Sequence, residues 1–189
     1  MTYLIVGLAL FFAVHSVSIV NEGWRDRTAQ KIGELQWKGV YAVFAIAGFA
    51  LICWGYGLAR QEPVVLYSPP AWSRHVTMLL MVFVFPLFLA ANLPGRLKAA
   101  AQHPQVVATM IWASAHLLVN GTLADVLLFG AFLVWAVFDR ISMKGRTARP
   151  IPSAPASKMN DVAAVLGGLL VFGGFLIWGH EALIGVPAY

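Results

Sequence analysis

Charge is scarce in this sequence: 11% of its 189 residues are Asp, Glu, Lys or Arg, against about 25% in soluble domains. With 60% hydrophobic residues and a mean hydropathy of +0.76, the shortage excludes an ordinary water-soluble domain. Cysteine is nearly missing. Cys53 stands alone, so no intrachain disulfide and no cysteine-type metal cluster can form. The chain has no glycine-rich phosphate loop, no paired carboxylates and no nucleophile elbow, which leaves hydrolysis and phosphoryl transfer without residues to act with. No internal or inverted repeat is visible, and that argues against a small transporter. The first residues lack a basic n-region and a small-residue cleavage site, so they are expected to be a first span and not a signal peptide.

What is present is apolar runs separated by basic loops. Six stretches, near 3–20, 39–58, 75–93, 105–120, 123–140 and 161–179, approach the roughly 20 residues that span a bilayer. The net charge of +5 comes from Lys and Arg concentrated in the short connections, a topology signal and not a nucleic-acid footprint. The 21–38, 94–104 and 140–160 connections carry four, two and five basic residues, and the 59–74 connection carries two. With the first, third and fifth connections inside, eleven basic residues lie inside and two outside, which puts both termini outside. The expected fold is all-α, a polytopic membrane bundle of about six transmembrane helices. Residues 1–145 would form a core of five spans, 146–160 a basic Pro/Ser-rich cytoplasmic tether, and 161–189 a final span with an outer tail.

Local signals add detail. Pro86 predicts a kink in the third span. The loop QEPVVLYSPPAWS has an apolar segment, Val64 to Tyr67, suited to folding back on the bundle. The loop 21–38 reads as an amphipathic run-up to the second span. Ala163/Gly167, Ala164/Gly168, Gly173 and Gly174 give the last span small-residue spacing that admits close helix approach. Asn120-Gly121 reads as a helix stop, and Thr122 with Asp125 as a capping box opening the next helix.

The candidate site residues are intramembrane. Trp112, His116 and Asn120 recur every four residues and so share one helix face, and His15 sits in the first span beside Phe11 and Phe12. Two histidines on different membrane helices among aromatic side chains are the minimum set for axial ligation of haem b, which needs neutral imidazoles and an apolar slot. The same pair also suits a helix–helix hydrogen bond or a proton relay. On the topology above His15 lies about 18 Å below the outer end of its helix and His116 ~6 Å below its own. Joint ligation therefore requires the fourth helix to be drawn inward, its irregular end covered by protein. His75 and His180 are expected at the interface and His103 in solvent. Asp125 is expected as a capping carboxylate, Asp139-Arg140 as a boundary ion pair, and Cys53 as a buried small hydrophobe.

Several blocks carry a resemblance: LALFFAVHS, LQWKGVYAVFAIAGFALICWGYGLAR, VVLYSPPAWSRH, NLPGRLKAAAQHP and WASAHLLVNGTLADVLLFGAFLVWAVFDRIS. In that order, across about residues 4–145, they resemble the NnrU family of bacterial membrane proteins. The resemblance implies an inner-membrane protein associated with denitrification, alongside nitrite and nitric oxide reductases. It also implies kinship with the plastid cis-zeta-carotene isomerase, a membrane haem b enzyme in which two histidines of the shared domain ligate haem. Carried over, these are His15 and His116. The cysteine which that relative places one turn before its second histidine is Ala113 here.

The expectation is thus a haem b protein with His15 and His116 as iron ligands. Trp112, Phe11 and Phe12 would wall the haem, with Asn120 and Asp125 as supporting polar groups. Its expected surroundings are membrane lipids and nitrite/nitric oxide reductase machinery, with no nucleic acid. Two rivals stand beside it: a haem-dependent isomerase of a carotenoid-like polyene, and a haem-free assembly or interaction protein.

Overall fold

The computed structural model describes residues 1–147, 149 and 152–188. Its helices are, in order, α1 (Thr2–His15), α2 (Val17–Val20), α3 (Glu22–Ile32), α4 (Glu34–Ala59), α5 (Ser73–Met81) and α6 (Val84–Ala90). There follow α7 (Arg96–Ala101), α8 (Pro104–Leu117), α9 (Leu123–Ser142), α10 (Asn160–Gly174), a π-helical turn (Phe175–Gly179) and α11 (His180–Ile184). All six apolar stretches are helical. Three helical runs are long and apolar enough to cross a membrane: Glu34–Ala59, Ser73–Ala90 and Asn160–Ile184. The others fall short for local reasons. α1 has 14 residues and stops at His15, α8 also has 14, and the 20-residue α9 carries Asp125, Asp139 and Arg140.

The chain divides into two compact units. Unit 1 comprises Met1–Ser68 and Gly121–Ala148, and unit 2 comprises Pro69–Asn120 and Arg149–Tyr189. In unit 1, α4 packs along α1, and α9 lies against both. The α1–α4 approach depends on missing side chains: a Cβ on Gly55 would meet the Leu4 backbone, one on Gly48 would lie 2.7 Å from the Phe11 nitrogen, and one on Gly7 2.6 Å from the Ile52 nitrogen. Close backbones of this kind supply the van der Waals contact that drives association where lipid removes the hydrophobic effect. The remaining faces of α4, Val40, Val43, Ile46 and Phe49 among them, are exposed, as suits a lipid-facing helix.

The loop between α3 and α4 is a single residue. Gly33 takes φ 97°, a left-handed conformation that a side chain would strain, and Arg25 reaches across the break to Glu34 at 3.0 and 3.3 Å. At the other end of unit 1 the apolar segment after α4 folds back: Leu66 and Tyr67 N–H groups donate to the Gly121 carbonyl, and Leu123 N–H to that of Val64. Gly121 has no room for a Cβ against the Tyr67 carbonyl.

In unit 2 the third apolar run breaks at Val82–Phe83, between α5 and α6. The break is four residues before Pro86, where the proline ring displaces the carbonyl it cannot bond. Pro86 is buried against Gly168 of α10, so the small-residue face of the last helix packs on the proline-bearing one. Asp161 at the start of α10 accepts from the Arg96 and Leu97 N–H groups at 2.9 and 3.0 Å, which ties that helix to the first turn of α7. The segment expected as a tether is irregular where described, with Ala148, Pro150 and Ile151 outside the described residues. It is also anchored: Ala154 N–H donates to Asn92 and Lys98 Nζ to Ser153 Oγ.

Candidate functional site

His15 is the last residue of α1, half-buried, where the helix breaks before α2. Its Nδ1 lies 2.7 Å from the Phe11 carbonyl oxygen. A carbonyl only accepts, so Nδ1 carries the proton and Nε2 the lone pair. The imidazole stacks on Phe11 (centroids 3.9 Å apart, 20° between planes), and Tyr41 and Trp135 stand at 5.1 and 5.8 Å. Phe12 and Phe132 extend the aromatic wall, 4.9 Å apart. The residues expected around His15, namely Phe11 and Phe12, are therefore beside it. Tyr41, Phe132 and Trp135 join them from α4 and α9, and no local spacing in the sequence announces that.

His116, in unit 2, repeats the arrangement. Its Nδ1 is 2.8 Å from the Trp112 carbonyl oxygen, the Trp112 ring is 5.2 Å away, and Asn120 Nδ2 donates to the His116 carbonyl at 3.0 Å. The row Trp112–His116–Asn120 is a physical cluster. Its α8 neighbours Ala113 and Ala115 are fully buried small residues. Thr77 of α5 donates to the Ala115 carbonyl at 2.9 Å. His180 also bonds through Nδ1, but to Val186 O at 2.7 Å, six residues ahead and not one turn back. His75 is exposed beside an open cleft of about 640 Å³ lined by Pro69, Pro70, Arg74 and Val119, and His103 is half-buried as the residue capping α8.

Asp125 is 5% exposed, and both its oxygens accept hydrogen bonds. Its Oδ2 accepts from Thr122 N (2.9 Å) and Thr122 Oγ1 (2.6 Å), completing the capping box, and its Oδ1 accepts from Tyr56 Oη at 2.5 Å. Nearby in the fold-back loop, partial burial pushes the Tyr67 phenol up from its ordinary pKa, and the Asp125 charge adds to this. At the opposite end of α9, Asp139 (5% exposed) pairs with Arg146 at 2.5 Å. The chain after α9 curls back and brings Arg146 to Asp139. Cys53, expected inside, is on the uncovered surface of α4.

No group of three or more metal-ligating side chains exists among the described residues. A haem asks for less: neutral imidazoles presenting Nε2, and flat apolar walls. Phe11, Phe12, His15 and Trp135 in one unit, and Trp112 and His116 in the other, have that chemistry. A family model described as "NnrU protein" matches residues 3–188. The chain belongs to the NnrU family. The match takes in the irregular segment after α9 and the last helix, beyond the blocks that carried the resemblance. Searches of curated proteins and of solved structures each found no match.

Proposed function

We propose that this NnrU-family membrane protein binds haem b, which His15 and His116 would hold through its iron, and supports nitrite and nitric oxide reduction from the bacterial inner membrane. The carrying observation is that both histidines, each in an apolar helix, hold Nδ1 on the carbonyl one turn back. That bond fixes the tautomer, orients the ring and raises the basicity of Nε2, the nitrogen a metal would take. Six spans with both termini outside remain the topology favoured by the loop charges.

Haem held there would supply a redox-active iron able to pass an electron or to bind a diatomic gas. The chain's part is to present the imidazoles and keep water out. Phe11 packs flat on the His15 ring, while Phe12, Phe132 and Trp135 form an apolar wall beside it. Asn120, bonded to the His116 carbonyl, stiffens the last turn that carries the second imidazole. The denitrification role is the one the family resemblance implies.

Protein made in haem-replete cells and purified in detergent is expected to show a Soret band and, after reduction, the sharp visible bands of a b-type haem. A pure, folded preparation with neither would overturn the reading in favour of a haem-free interaction protein.

A further inference from the structure

The His15 end of unit 1 holds hydrogen-bond donors without acceptors. Trp135 Nε1 and Arg146 Nε are both buried, and neither has a hydrogen-bond partner among the described residues. Trp135 and Asp139 are one turn apart on α9 and so share a face, and Asp139 holds Arg146 through Nη2. The two N–H groups thus belong to one short stretch of the bundle. Tyr41 borders it, 5.1 Å from the His15 ring. Buried donors left unmatched are costly, and a structure keeps them where something else supplies the acceptor.

The missing partner has a definable chemistry. Indole and guanidinium N–H groups only donate, so it must accept, and an arginine edge favours acidic oxygens. The Asp139 charge is already met by Arg146, and the segments flanking this end (21–38 and 139–147) carry seven basic residues against four acidic, so an anion is not repelled overall. Phe12 lies 5.7 Å from the Trp135 ring, and Phe132 and Phe11 continue the apolar wall from it. An amphiphile with an acidic head and an apolar body matches both features.

We propose that Trp135 Nε1 and Arg146 Nε bind the carboxylate or phosphate oxygens of such an amphiphile, whose apolar part lies along the Phe11–Phe12–Phe132 wall. Two sources share this chemistry: the carboxylates of a porphyrin and the phosphate of a membrane lipid. The porphyrin source rests on the haem reading above, and the lipid source does not.

Two probe pairs separate them, each differing only in the acidic group: haemin against haemin dimethyl ester, and phosphatidic acid against diacylglycerol. Binding to the full chain in detergent is followed by absorbance for the porphyrins and by native mass spectrometry for the lipids. Wild type should bind the acidic member of at least one pair about tenfold tighter, the worth of one charge-assisted hydrogen bond. Trp135→Phe keeps the ring and Arg146→Lys keeps a cation for Asp139, and each should abolish most of that preference. A preference confined to the porphyrins assigns the site to haem carboxylates, and one confined to the lipids assigns it to a headgroup. If haemin fails to bind at all, the haem reading falls while the lipid pair still decides the site. Equal binding within both pairs, or a preference surviving both substitutions in folded protein, would overturn the proposal.

Discussion

The two ends of unit 1 use the same materials differently. At one end Asp125 accepts from Tyr56 Oη, Thr122 N and Thr122 Oγ1. That end is closed: a buried carboxylate bonded through both oxygens locks the 121–122 turn to α4. At the other end an equally buried carboxylate, Asp139, meets Arg146 through Nη2, yet Arg146 Nε and Trp135 Nε1 are left over beside His15. Burial alone therefore does not separate structural polar groups from functional ones. The balance of donors and acceptors does, and it points to the His15 end as the place prepared for a ligand.

That contrast can be broken by substitution. Asp139→Ala should have the largest effect, about 3 kcal/mol of destabilisation, because it strands a mostly buried guanidinium, and chemical denaturation in detergent would report it. Tyr56→Phe, at the closed end, leaves Asp125 Oδ1 short of a donor and should cost about 2 kcal/mol in the same assay, with no change in ligand binding. Thr122→Ala removes the cap of α9 and should cost about 1 kcal/mol. Cys53→Ala, on the uncovered face of α4, serves as the control and should stay within about 0.5 kcal/mol of wild type. Reversal of the ligand-binding outcomes, with Tyr56→Phe weakening binding and Trp135→Phe leaving it intact, would erase the distinction between the ends.

What could be read from the sequence was local. The helical stretches follow from apolar runs, the α9 start from Thr122 and Asp125 three residues apart, the break before α6 from Pro86, and the α10 packing face from Ala164 and Gly168. Phe11 beside His15, and Trp112 with Asn120 around His116, follow from the four-residue helical repeat. What could not be read is which elements meet. Tyr56 is 69 residues from Asp125, and Tyr41 and Trp135 reach His15 from separate helices. That Arg146 meets Asp139 depends on how the chain turns after α9. Gly7, Gly48 and Gly55 carried a signal, small residues seven apart in α4 and one in α1, but only the packed pair explains it. Cys53 has no polar neighbour in sequence to mark its outward direction.

The central claim, that His15 and His116 ligate one haem, is tested most directly by absorption spectra of wild type, His15→Ala and His116→Ala, each oxidised and reduced. The account predicts a b-type spectrum in wild type and, in each variant, either loss of haem or a shift to a five-coordinate form. Wild-type spectra in both variants would contradict it.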